Sequence, residues 1–156
     1  MPGPHRILDR RTMSEPRKHG LTFAAVGISF SSRVGHAFIL WEEEDNQAQM
    51  SISKGLGFYP ATGNSAYEVL FGGPGVIRSD VDRVPERRLT VLVNTPVWNA
   101  ALARRNQWHQ SGTYQITAQN CVSHVHDIAA VLGLETPASD WTRPLTYIGD
   151  LDAANP

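Results

Sequence analysis

Val34-Gly-His-Ala-Phe-Ile-Leu-Trp41, followed by Glu42-Glu-Glu-Asp-Asn-Gln47 and Ala48-Gln-Met-Ser-Ile-Ser53, is the stretch that decides the fold class. The first piece is rich in branched and aromatic residues and reads as a strand. The second is rich in acids and holds an Asn, residues that form turns well and strands poorly. The third alternates apolar and polar residues, so 34–53 reads as a hairpin. Upstream, Leu21 to Phe30 reads as another strand, apolar on both faces. Downstream, Lys54-Gly-Leu-Gly-Phe-Tyr-Pro60 is expected to break the sheet, because glycine and proline punctuate strands. Val76-Ile77 reads as a short strand and Arg87 to Val93 as a clearer one. Between them and the break, residues 61–80 carry no periodic pattern. Gly72-Gly-Pro-Gly75 is a turn, and no Lys-Ser/Thr pair follows to make it a phosphate loop.

Thr95-Pro96 has the form of a helix start, a capping hydroxyl before proline, and the helix it opens is expected to run to about Gln110. Gly112 ends it, and Tyr114 to Thr117 reads as a short extended link. A second helix is expected from Asn120-Cys121 to Gly133. Cys121, Val125, Ile128, Ala129 and Leu132 share one stripe of it. Strands first and helices last imply an α+β domain, a mainly antiparallel sheet packed against helices.

The chain has 156 residues, enough for one domain with a real core. Its 14 Lys+Arg balance 15 Asp+Glu at a net charge of −1, which argues against nucleic acid as a partner. A single cysteine excludes an internal disulfide framework and a Cys-rich zinc module. Residues 1–20 hold five basic and two acidic side chains, three prolines and little apolar periodicity, and read as a flexible basic N-terminal arm. Residues 21–156 form the single domain. Its C-terminal stretch from Thr136 holds Trp141, Leu145, Tyr147 and Ile148 and reads as a strap over the core. The longest apolar run is about half a membrane span, so no transmembrane segment is expected. Nor is a cleavable leader, which fits a cytoplasmic protein or one exported without a signal peptide. The oligomeric state is left open.

Cys121 falls in the first turn of its helix. A helix N-terminus stabilises negative charge, which suits a thiolate nucleophile and the oxyanion that it generates. His36 opens the first strand of the hairpin. A cysteine and a histidine on separate elements are the minimum for thiol catalysis, the imidazole taking the thiol proton and returning it to the leaving group. The strand facing His36 offers Ser53, Ser51 and Gln49 as groups to orient the ring, and the hairpin register decides among them. Asn120 stands beside the nucleophile at the turn. His124 lies one helical turn below Cys121, where it can line the floor of a pocket or pack at the edge of the core. Tyr114 and Trp41 are further candidates to line that pocket. His124-Val-His126-Asp127 is metal-like in composition, but residues two apart point to different sides of a helix, and no metal or other cofactor is expected. No Gly-x-Ser-x-Gly elbow is present.

Gly35-His-Ala-Phe-Ile39, Gly57-Phe-Tyr-Pro60, Tyr114 and Asn120-Cys121 opening a helix that ends Leu132-Gly-Leu134 together resemble the circularly permuted papain-like cysteine hydrolases. That group includes the permuted NlpC-type peptidases, the PPPDE peptidases and the lecithin:retinol acyltransferase-like proteins. The resemblance covers roughly residues 21–150. It implies a permuted papain-like fold in which Cys121 is the nucleophile, His36 the base, and Ser51 or Ser53 the orienter. Asn120 is similar to the Asn that commonly precedes the nucleophile, while His124 stands where an aromatic is frequent. The implied activity is a cysteine peptidase or amidase acting on a peptide or amide substrate, a bacterial cell-wall peptide among them. Two alternatives are acyl transfer by the same pair and a binding module that keeps the fold without turnover.

Overall fold

A computed structural model of the chain describes residues 4–27, 35–45, 47–60, 72–111, 113–114, 120–140 and 142–156. Among these, seven strands and three helices form an α+β fold. The strands are β1 (His5–Asp9), β2 (His19–Val26), β3 (His36–Glu44), β4 (Met50–Pro60), β5 (Gly73–Ser79), β6 (Arg87–Val93) and the two-residue β7 (Thr113–Tyr114). The helices are α1 (Thr95–Ser111), α2 (Cys121–Val131) and α3 (Pro144–Ala154). Sheet order is β1-β6-β2-β3-β4-β5-β7. Every pairing is antiparallel except β1 on β6.

Side-chain alternation separates the two faces of the sheet. Phe23, Ile39, Trp41 and Val91 point into one large core, where Val125, Ile128, Tyr147 and Leu151 from α2 and α3 meet them. Ala24, Phe38 and Leu40 form a small cluster on the other face. That second face also carries a chain of hydrogen bonds across four strands. His5 Nε2 meets Thr90 Oγ1 at 2.7 Å, Thr90 Oγ1 meets Thr22 Oγ1 at 2.6 Å, and Thr22 Oγ1 donates to Glu42 Oε1 at 2.7 Å.

The connection from β5 to β6 must pass β4, β3 and β2 to reach its place in the sheet. It lies against β4 because Gly55 leaves room: a Cβ there would sit 2.8 Å from backbone atoms of Val81. Asp80 N–H donates to Gly55 O, and Glu86 N–H to Ala25 O, so the crossing segment is fastened at both ends.

Three expectations need correction. The glycines at 55 and 57 do not end the sheet. β4 runs on to Pro60, and the missing side chains admit another segment of backbone. Residues 4–20, within the expected arm of 1–20, are not free. Residues 5–9 extend the sheet, Asn94 Oδ1 accepts the Thr12 amide at 2.7 Å, and the Glu15 carboxylate accepts the Thr95 amide and hydroxyl at the start of α1. The C-terminal strap does cover the core, but as a helix opened by Pro144 at its first position, with Tyr147, Ile148 and Leu151 fully buried. The expected structure at residues 28–34, 61–71 and 115–117, and Trp141, lie outside the described residues.

Gly55→Ala should therefore destabilise the protein by about 1–3 kcal/mol through overpacking against Val81. The denaturation midpoint reads this, and an unchanged midpoint would mean that the crossing segment does not bear on β4.

Candidate active site

Gly35 turns the chain into β3 with φ +80, a conformation open to glycine and strained for other residues. A Cβ at this position would also press on Val26 O at 2.8 Å. The turn delivers His36 as the first residue of β3, 5% exposed. Asn120 is the N-cap of α2. Its Oδ1 accepts the Val122 amide at 2.9 Å and the Ser123 amide at 3.2 Å, and Ser123 Oγ accepts the Asn120 amide in return. This reciprocal box fixes the first turn of the helix and with it Cys121.

The structure brings Cys121 and His36 together, close enough for the sulfur to raise the pKa of the imidazole. The other side of the ring is taken: His36 Nε2 lies 2.9 Å from Asp80 Oδ2. The carboxylate on Nε2 leaves Nδ1 to the thiol. It also favours the tautomer in which Nε2–H donates to Asp80 and Nδ1 accepts from sulfur.

Asp80 is itself held from several directions. Arg83 Nε donates to its Oδ1 at 2.7 Å, and the Tyr59 hydroxyl donates to the same oxygen. Tyr59 also stacks on the His36 ring, with centroids 4.3 Å apart, and Phe38 lies at 5.8 Å. Gly57 is the gap that the arrangement occupies, since a Cβ there would overlap both His36 Nε2 and Asp80 Oδ2.

The electrostatics follow from these contacts. Burial alone would lower the pKa of His36, but the hydrogen bond with Asp80 and the nearby sulfur of Cys121 outweigh it and the value is raised. Burial alone would raise that of Asp80, yet the bonds from His36, Tyr59 and Arg83 bring it below the usual carboxylate value. Burial, reinforced by Asp80, raises the Tyr59 phenol and keeps it a donor.

Asp80, in the run Arg78-Ser-Asp-Val-Asp-Arg83, is the residue that sequence reasoning missed. The two serines expected to orient His36 do not face it. Ser51 pairs with Glu43, and Ser53 donates to Trp41 O at 2.9 Å. A bulge between Trp41 and Glu42 leaves Ser53 without a ladder partner, and the register leads from Ile39↔Leu56 towards Tyr59 opposite His36. Two expected pocket residues also need correction. Trp41 points into the core towards the far end of β3, edge-on to Trp98 and beneath Arg105. His124 is 0% exposed, edge-on to Trp108 at 5.2 Å, and both ring nitrogens are unpartnered among the described residues. Burial pushes its pKa down to about 3, so it packs as a neutral aromatic ring. The backbone of Tyr114 pairs with Gly73, and its side chain lies outside the described residues.

Among the described residues, no group of three or more His, Cys, Asp or Glu is placed to hold a metal ion, and no helix is long and apolar enough to cross a membrane. No family model, curated protein or solved structure matches the chain.

Two outcomes follow for variants. Asp80→Asn should lower the His36 pKa, read by NMR titration of the imidazole, and Asp80→Ala should cost about 3–5 kcal/mol by stranding a buried partner. The depressed Asp80 pKa contributes stability above its unfolded value, near 3.9, that is lost as pH falls through the folded value. The raised His36 pKa contributes stability below about 6.5 that is lost as pH rises through the folded value. In Asp80→Asn the Asp80 contribution should vanish and that of His36 should shrink, with the Cys121 share remaining. His124 has the opposite sign to His36: its folded form refuses a proton that the unfolded chain accepts below about 6.5. His124→Phe should therefore gain about 2 kcal/mol over the parent at pH 5 relative to pH 7, measured by denaturant titration at each pH.

Proposed function

We propose that the protein is a thiol hydrolase of the permuted papain-like type, cleaving an amide or peptide bond through Cys121, His36 and Asp80. One observation carries this reading: a single buried imidazole bonded to a carboxylate and close enough to a thiol at a helix N-terminus to interact with it. Nucleophilic catalysis uses both contacts, the thiol as nucleophile and the carboxylate to orient the base.

Asp80 holds the ring so that Nδ1 faces sulfur. Nδ1 accepts the thiol proton as sulfur attacks the carbonyl carbon, and the imidazolium that forms is stabilised by the carboxylate. The oxyanion lies at the start of α2, where the Cys121 amide and the helix dipole favour negative charge. Collapse of the tetrahedral species breaks the C–N bond, His36 hands its proton to the leaving amine, and a thioester remains on Cys121. Water then attacks the thioester. His36 takes the water proton, the C–S bond breaks, and the thiol is restored as the acid leaves. Tyr59 and Arg83 act through Asp80, fixing its orientation and charge, and are positioning residues.

A second reading, a binding module without turnover, draws on the burial of Cys121, which is 7% exposed. Reactivity separates the two. Cys121 is the chain's single cysteine, so alkylation reports on it alone. Near neutral pH, iodoacetamide should modify it faster than a free thiol in solution. His36→Ala should slow this by about 10²-fold or more, on the scale of lost acid–base assistance. Hydrolysis of a mixed peptide library should disappear in Cys121→Ala. Labelling no faster than that of a free thiol and insensitive to His36→Ala would remove the catalytic reading.

A further inference from the structure

Three basic side chains gather beside Trp41. Arg105 of α1 lies over the indole, its Cζ 4.6 Å from the ring centroid. Lys54 stands directly opposite Trp41 in the β3–β4 ladder and so projects from the same face of the sheet. His109 follows Arg105 by one helical turn on the same side of α1. Burial lowers the pKa of His109, and the charges of Arg105 and Lys54 lower it further.

Like charges so placed repel one another, and among the described residues no ion pair relieves Arg105, Lys54 or His109. The acids on neighbouring residues are engaged elsewhere. Glu43 lies 3.6 Å from His19 Nδ1, Glu42 accepts from Thr22 on the opposite face, and Asp127 takes Arg104 and Trp108. Arg105 shows the consequence. It is half-buried, and burial lowers its pKa with no carboxylate to oppose the shift. Arg104, its neighbour on the helix, is raised instead by its bond to Asp127. Arg105 Nε and Trp41 Nε1 are both buried donors with no acceptor among the described residues. An aromatic face attracts a guanidinium without neutralising it or satisfying its five N–H groups. A half-desolvated cation and two unpaired buried donors cost stability unless an acceptor arrives from outside.

We infer that Arg105, Lys54 and His109 bind a phosphate group, carried by a soluble phosphomonoester or by a lipid headgroup. Two permanent cations and an imidazole suit a dianion with three free oxygens, whereas a single carboxylate would leave positive charge uncompensated. Trp41 holds the guanidinium in place, so its planar fork is ordered before the ligand comes. Trp41 stands about 17 Å along β3 from His36, and the site exists whether or not Cys121 is catalytic.

Titration of the full chain with inorganic phosphate near neutral pH, followed by NMR of the Arg105 Nε–H and the His109 ring, tests this. Both groups should shift saturably, and the His109 pKa should rise as phosphate binds, because an adjacent anion favours the charged imidazole. Acetate at the same ionic strength should bind about tenfold more weakly. Arg105→Gln should weaken phosphate binding about tenfold. Lys54→Gln, an exposed change that leaves Arg105 on Trp41, should weaken it as well. Phosphatidylcholine vesicles with and without phosphatidic acid separate the two sources. Co-sedimentation that needs phosphatidic acid and is lost in both variants assigns the headgroup, and phosphate binding without co-sedimentation assigns a soluble ligand. Acetate binding as tight as phosphate, binding unchanged in both variants, or neither a phosphate shift nor co-sedimentation would overturn the inference.

Discussion

The arrangement of the site depends on one steric allowance. On one face of β4, Gly55 and Gly57 present no side chains, and into that stripe fit the backbone of Val81 and the meeting of Asp80 with His36. With side chains at those positions, the segment linking β5 to β6 would ride higher over the sheet. Asp80 would then sit beyond hydrogen-bond reach of the imidazole. The geometry of the site is a by-product of how a crossover connection is packed. The carboxylate belongs to a chain that has to pass that point to place β6 beside β2.

The helix side makes an independent contribution. The reciprocal bonds of Asn120 and Ser123 define where α2 begins, and a helix with a fixed first residue presents its first side chain in a fixed direction. The thiol therefore arrives from a rigid element, the imidazole from a strand end set by Gly35, and the carboxylate from the crossover. Three local devices, a cap, a left-handed glycine and a bare stripe, converge without any of them being strong alone.

Local signals explain what could be read from the residues. A run of branched and aromatic residues marked β3, alternation marked Arg87 to Val93, and the 3.6-residue stripe from Cys121 to Leu132 marked α2, because each pattern is written within a few neighbouring residues. Asp80 was hidden because Arg78-Ser-Asp-Val-Asp-Arg83 has the composition of a solvated turn, and its partner lies 44 positions earlier. The one available clue was the spacing of Gly55 and Gly57. Two glycines two apart on a strand bare one face for a close approach, but they read equally well as a break. The orienting serines were misassigned for a related reason. One extra residue at the bulge shifts the register, and no local pattern announces it. β1 is five residues long between prolines and arginines, too short for its alternation to stand out.

The hydrogen-bond chain from His5 through Thr90 and Thr22 to Glu42 bears on how the molecule is made. His5 and Thr90 stand 85 positions apart, and among the described residues β1 pairs with no strand but β6. As the polypeptide leaves the ribosome, its first strand must wait unpaired while β2, β3, β4 and β5 emerge, and can dock only once β6 has joined β2. β1, made before the other strands, is thus the last of β1 to β6 to find its place. A nascent chain halted before residue 87 would carry an unsatisfied N-terminal segment, exposed to proteases and chaperones until synthesis resumes.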